Sequence, residues 1–135
     1  MARYTKLLCL SALVAGSFVV AIFGWPSIAQ LSDRPAFVII ERTATTGEES
    51  IQAEYAELAR EILPKYGGRY VARSQSNTLL EGAGSAPCCV AILEFPNVAA
   101  AKRWYASAEN QSAAKIRQRG ATFRLVLIEG LQKPG

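Results

Sequence analysis

The sequence predicts an α+β domain in which helices cover one face of a four-stranded antiparallel sheet. Three observations support this fold class: apolar, β-branched runs of strand length, an amphipathic stretch after the first run, and glycine or proline at the boundaries between elements. The order of elements is strand, helix, strand, strand, helix, strand. This βαββαβ order is that of the ferredoxin-like plait, here over residues 35–131 with short tails at 30–34 and 132–135.

The first strand and the first helix are predicted from residues 36–66. Residues 36–40 are continuously apolar, as in a strand covered on both faces. Residues 45–49 carry the Thr-x-x-Glu pattern of a capping box. Apolar residues then recur at helical spacing, at Ile51, Tyr55, Leu58, Ile62 and Tyr66. Gly67 and Gly68 are expected to end this helix, because glycine adopts the left-handed conformation at low cost.

The second half begins with a predicted strand at residues 69–74, an exposed connection at 76–87 and a third strand at 88–95. Pro96 ends the third strand, and Asn97 is suited to cap a helix that starts at residue 98.

That helix is expected to break near Ser107 and to resume as a second segment up to Arg119. The apolar pattern of residues 122–129 predicts the last strand.

Three of the predicted strands carry apolar residues on both faces. In the first strand Phe37 and Ile39 alternate with Val38 and Ile40, and the third and fourth strands repeat this pattern. A monomer would leave one whole set in water, which soluble monomers seldom tolerate. We therefore expect a homodimer that buries the second face of the sheet.

Several spaced motifs give the chain a resemblance to the dimeric α/β-barrel superfamily, and within it to domain of unknown function family 1330. The motifs are residues 65–70, 79–82, 93–96, 104–105 and 125–130. The resemblance implies a homodimer whose sheets face each other, with a cleft between each sheet and its helices. It also implies relatives that include cofactor-independent oxygenases and haem-handling enzymes.

The N-terminal residues have the layout of a secretory signal peptide. Arg3 and Lys6 precede an apolar run from Leu7 to Phe23, and small residues at Ser27 and Ala29 suggest cleavage after Ala29. We expect an exported, periplasmic or secreted protein. The alternative is an uncleaved membrane anchor, since about 17 apolar residues is the lower limit for a spanning helix.

Charge and residue types exclude several functions. Removal of residues 1–29 takes two of the 15 basic residues and none of the 11 acidic ones, and no basic run remains that would favour nucleic acid. The sequence contains no histidine, which excludes histidine-ligated haem, histidine metal sites and a Ser-His triad. Scattered carboxylates do not have the spacing of a metal site, so we expect no metal and no cofactor.

Cys88 and Cys89 open the third strand. One interpretation is that, in an oxidising compartment, they form a strained vicinal disulfide or crosslink two chains. Adjacent strand residues point to opposite faces, which argues against a bond between the two cysteines. The favoured interpretation is that they act as small apolar residues at the start of the strand, with one of them buried.

Candidate ligand residues lie at the strand ends and on the second helix. Glu94 and Arg69, which starts the neighbouring strand, are candidate ligand residues. Glu94 is also a candidate base, and the alternative for the two is a structural ion pair. Tyr70 and Tyr105 are candidates to line a pocket for a flat apolar molecule, whereas Tyr55 is expected in the core.

Two functions follow from these residues. The first is an exported binding or interaction module for a small apolar or aromatic molecule. The second is a cofactor-independent enzyme, oxygenase-like or isomerase-like, in which Glu94 or Tyr105 moves a proton within a dry cleft.

The export prediction is tested by the intact mass of the protein recovered from its host. We expect a chain that begins at Gln30, and a chain that still carries Met1 would contradict cleavage.

Overall fold

The computed structural model describes residues 34–132. The elements are strand β1 (Ala36–Thr45), helix α1 (Glu49–Ile62) with a 3-10 turn (Leu63–Tyr66), strands β2 (Arg69–Ser74) and β3 (Val90–Phe95), helices α2 (Val98–Ala106) and α3 (Ala108–Gly120), and strand β4 (Ala121–Glu129). The sheet is antiparallel in the order β2-β3-β1-β4, with the helices on one face. The predicted α+β ferredoxin-like fold is confirmed.

The predicted signal peptide or anchor, most of the 30–34 tail and the end of the C-terminal tail lie outside the described residues. Within residues 34–132 no helix has the length and apolar character that a membrane span requires.

The core fills the space between the sheet and the helices. Alternate residues of β1 and β3 point into it, and Phe95 packs against Trp104 with ring centroids 5.2 Å apart. The buried apolar residues of the two strands are Ala36, Val38, Ile40, Leu93 and Phe95.

Element boundaries follow local chemistry at three of the predicted points. Gly67 has a φ of 71°, in the left-handed region, and its N–H donates to the carbonyl of Pro64. The Asn97 side chain accepts from the N–H of Ala100 at 2.9 Å and caps α2. Ser107 ends α2 and caps α3, as the expected helix break requires.

Two predicted boundaries are wrong. Thr45 lies in β1, where it pairs with Ala121, and α1 begins after Glu48 without a side-chain cap, so the capping box does not form. The third strand begins at Val90 rather than at Cys88. In both cases pairing between strands sets the end of the element, and the local pattern does not.

The face of the sheet opposite the helices carries an apolar centre between two ion pairs. We call this side of the sheet the open face. Its apolar residues are half-buried or exposed, and they are Phe37, Ile39, Ile92, Val126 and Ile128. Arg69 pairs with Glu94 towards one end, and Arg124 with Glu41 towards the other. The predicted second apolar face is therefore present.

Candidate functional site

A polar cleft opens between helices α1 and α3 and the helix-covered face of the sheet. We call it the arginine cleft. It holds about 80 Å³, and all four strands and both helices contribute to its wall or its rim. The polar and aromatic lining includes Arg42, Gln52, Tyr55, Tyr70, Arg73, Cys89, Arg117 and Phe123.

Arg117 is the most enclosed charge of this cleft, with only 4% of its surface exposed. Its guanidinium lies between two aromatic rings, 5.2 Å from the centroid of Tyr55 and 4.8 Å from that of Phe123. Nη1 donates to the Tyr55 hydroxyl at 3.3 Å, and Nε has no hydrogen-bond partner. Among residues 34–132, no carboxylate lies within ion-pair distance of Arg117.

The position of Arg117 is fixed through its main chain as well. Gln52 of α1 is buried, and its side-chain amide donates to the carbonyl of Arg117 at 2.9 Å. This bond joins α1 to the last turn of α3, so the helix pair holds the guanidinium over Phe123 of β4.

Arg42 is the second buried arginine, 8% exposed, and enters the cleft from β1. It forms a two-point ion pair with Glu49, whose side chain is 65% exposed, and lies 5.9 Å from the centroid of Phe123. Its Nε is also without a partner. Two buried Nε–H groups therefore remain unsatisfied in one cleft.

The charged side chains that line the cleft are all cations, and Glu49, which pairs with Arg42, lies outside the lining. Three arginines line it, and no acidic residue is among the lining residues. Desolvation of the hydroxyl, with a contribution from Tyr55, raises the pKa of Tyr70. Partial burial and the hydrogen bond to Cys88 raise the pKa of Cys89 above its usual value, although the positive charge of Arg42 opposes this. Both groups therefore stay protonated at neutral pH and present donors.

The sequence-predicted site residues do not form one site in the described part of the chain. Tyr70 lines the arginine cleft. Tyr105 lines a separate apolar groove of about 480 Å³ between α2 and the edge strand β4, together with Trp104, and we call this the α2 groove. Arg69 and Glu94 are on the open face and line neither cavity.

Strand alternation explains the position of Glu94. Its neighbours Leu93 and Phe95 are buried beneath the helices, so Glu94 itself points to the other side of the sheet. It forms an ion pair with Arg69, which is the structural alternative that the sequence left open. Its catalytic or binding role stays a prediction.

Sequence reasoning missed Arg42 and Arg117, although each carried a weak signal. Arg42 continues the buried alternate set of β1 after Ala36, Val38 and Ile40. Arg117 follows the buried Ala113 by one helical turn. A cation in an apolar series is the pattern that would have identified them.

The favoured interpretation of the cysteines is wrong in its details. Cys88 is exposed and Cys89 half-buried, and both precede β3. Their sulfur atoms are 2.7 Å apart.

Within the described residues, no three histidine, cysteine, aspartate or glutamate side chains come together as a metal site would need. The expectation of no metal stays a prediction.

Comparison with known proteins assigns the chain to a family. The model of the domain of unknown function DUF1330 matches residues 35–131, and the chain belongs to that family. No curated protein matches the chain.

Solved structures share the fold. A protein of unknown function from Rhodopseudomonas palustris is 21% identical with a TM-score of 0.61, over 75% of this chain and 85% of that one. A dimeric ferredoxin-like protein of unknown function from Jannaschia sp. CCS1 is 12% identical with a TM-score of 0.56, over 70% and 98%. SnoaB, a cofactor-independent oxygenase from Streptomyces nogalater, is 18% identical with a TM-score of 0.52, over 76% and 97%. At these identities the likeness shows the fold alone.

The enclosed charge of Arg117 predicts an unusual stability change. In the absence of ligand, Arg117→Met should leave the free energy of unfolding unchanged or raise it by up to about 2 kcal/mol, because the substitution removes a buried cation that lacks a carboxylate. Arg42→Met is the matched control and should cost about 0.5–1 kcal/mol, since it breaks an ion pair with a mostly exposed glutamate. Urea unfolding measures both. A loss of more than about 3 kcal/mol for Arg117→Met would show that its charge is a structural requirement.

Proposed function

We propose that this DUF1330 protein is a homodimeric binding protein whose arginine cleft takes the carboxylate of a small organic molecule. The observation that carries the proposal is Arg117, a nearly fully buried cation with an unpartnered Nε and no carboxylate within ion-pair distance in residues 34–132. Burial of an unpaired charge is costly. A bound anion would offset that cost and would accept the free Nε–H.

The size and the walls of the cleft narrow the ligand class. A volume of about 80 Å³ suits a carboxylate group with a short stem. Tyr55, Tyr70 and Phe123 supply aromatic walls for the stem. Arg117 supplies the positive charge, with Arg42 beside it in its ion pair with Glu49. For this site we propose an anionic molecule within the predicted class of small apolar or aromatic ligands.

The protonation states of the side chains that line the cleft favour binding over catalysis. Its lining holds no carboxylate or histidine, and Tyr70 and Cys89 are held in the neutral form, so none of these groups accepts a proton at neutral pH. The enzyme alternative depended on Glu94 or Tyr105, and neither lines this cleft. Fold likeness to an oxygenase is the remaining support for that alternative.

An apolar ligand has a second candidate location in the α2 groove. Its volume of about 480 Å³ lies within the range of small-molecule sites, and Trp104, Tyr105 and Leu125 line it. This groove carries one charged lining residue, Lys102, and no unsatisfied buried donor. The α2 groove therefore discriminates less between ligands than the arginine cleft does.

Dimerisation would use the open face. The apolar centre of that face is flanked by the pairs Arg69–Glu94 and Arg124–Glu41, so a twofold copy would meet apolar residues at the centre and both signs of charge at the rim. The dimeric neighbour of the same fold supports this assembly. The N-terminal pattern supports export of the dimer.

Carboxylate binding is tested by calorimetric titration of propionate, with propionamide as the neutral isostere. We expect propionate to bind and propionamide to bind at least about tenfold more weakly, because the amide has no charge for the arginines. Arg117→Gln should lower the affinity for propionate by about tenfold to a hundredfold. The matched control is Arg119→Gln on the same helix, which removes an equal charge from an exposed pair with Glu54 and should leave affinity unchanged. Equal affinity of both variants for propionate would contradict the site.

The dimer is tested by sedimentation velocity of Val126→Glu. Val126 is 42% exposed in one chain, so a monomer tolerates the carboxylate, whereas a covered open face does not. We expect a folded monomer by circular dichroism and a dimer for the control Leu80→Glu, which changes a residue 94% exposed on the 75–89 connection. A Val126→Glu protein that stays dimeric would place the interface elsewhere.

A further inference from the structure

The pair Cys88–Cys89 is a feature that the proposed function does not use. These are the two cysteines of the described residues, and both are free thiols. Their sulfur atoms lie 2.7 Å apart on the segment that precedes β3. We propose that Cys88 and Cys89 are a redox-active dithiol that closes reversibly to a vicinal disulfide at the wall of the arginine cleft.

The local backbone permits ring closure where a strand would not. In a ladder, successive side chains point to opposite faces, which separates adjacent sulfur atoms. Here the register of β3 starts at Val90, which pairs with Glu41 and Ser74. Both cysteines precede this first pair, and the short distance between their sulfur atoms shows that the backbone there brings the two side chains together.

The two thiols have different environments, which sets the order of reaction. Cys88 is exposed, whereas Cys89 is half-buried and its pKa is raised by that burial and by the hydrogen bond to Cys88. The thiolate is the reacting form, and Cys88 is the more accessible of the two thiols, so Cys88 attacks first. The oxidant is a disulfide of the glutathione class, written R–S–S–R, in the oxidising compartment that the N-terminal pattern predicts.

The exchange balances in two steps. The Cys88 thiolate attacks one sulfur of R–S–S–R and expels one thiolate, which takes up the proton that Cys88 lost. The Cys89 thiol then loses its proton and attacks the Cys88 sulfur, so that the second R–S group leaves and takes up that proton. Two electrons pass from the cysteine sulfurs to the oxidant, and the products are one ring disulfide and two R–SH molecules. A strained small ring is readily reduced again, which makes the step reversible.

The pair also contacts the cleft. Cys89 lines it, and the Cys89 carbonyl accepts from the main-chain N–H of Arg42 at 3.0 Å. Ring closure removes the thiol donor of Cys89 from the cleft wall. It also fixes the main chain at Cys89, to which Arg42 is hydrogen-bonded. We expect the disulfide form to bind propionate several-fold more weakly, and this consequence rests on the proposed carboxylate site.

The test reads the two cysteines on one peptide. Trypsin cuts after Arg73 and Lys102 and releases residues 74–102, which hold both cysteines and exclude Cys9. The full chain is equilibrated with oxidised glutathione, blocked with iodoacetamide and digested without reduction. We expect a peptide that has lost two hydrogen atoms, carries no alkyl group, and regains both thiols with dithiothreitol. Cys88→Ser and Cys89→Ser should instead retain one glutathione on the remaining cysteine.

Three outcomes would overturn the redox site: two alkyl groups at every glutathione ratio, two glutathione adducts, or a cross-link between two copies of the peptide. Propionate titration of the oxidised and reduced forms then separates the two proposals. Ring closure with equal, measurable affinity in both forms would overturn the coupling to the cleft. Ring closure with no propionate binding in either form would overturn the carboxylate site and leave the redox site standing.

Discussion

A single enclosed cation connects the elements that form the proposed binding site. Arg117 of α3 lies between Tyr55 of α1 and Phe123 of β4, and Gln52 of α1 bonds to its carbonyl. The arrangement joins both long helices to the edge of the sheet, yet it leaves the charge without a carboxylate in the described residues. Most buried cations in proteins are paired. The rings and the main-chain contact fix the guanidinium in place, and the proposed function supplies the missing partner as an anion from outside.

The sheet divides the molecule into two chemically distinct sides. One side packs under the helices and contains the arginine cleft, while the other presents apolar residues between two ion pairs. Alternation along β3 assigns Leu93 and Phe95 to the first side and Glu94 to the second. Ligand binding and assembly are therefore proposed for opposite faces, so a partner copy on the open face does not fill the cleft.

Much of the fold was predictable because its signals are local. The apolar runs, Gly67 and Asn97 act within a few residues of the chain, and the structure confirms each of them. The capping box at Thr45 failed because pairing with Ala121, 76 positions away, extends β1 through it. The arginine cleft was not predictable for the same reason: Arg42 and Arg117 meet Phe123 only through the tertiary arrangement. Tyr70 was selected for its ring, but the charges beside it were not identified.

The central claim is that the unpartnered Nε–H of Arg117 receives a carboxylate. The most direct measurement is the Nε–H resonance of Arg117 in nitrogen-15 NMR spectra, assigned by its loss in Arg117→Gln, during addition of propionate. We expect a saturable shift of this resonance and slower exchange of its proton with water, with no response to propionamide. A resonance that stays unchanged at propionate concentrations that shift other residues would contradict the account.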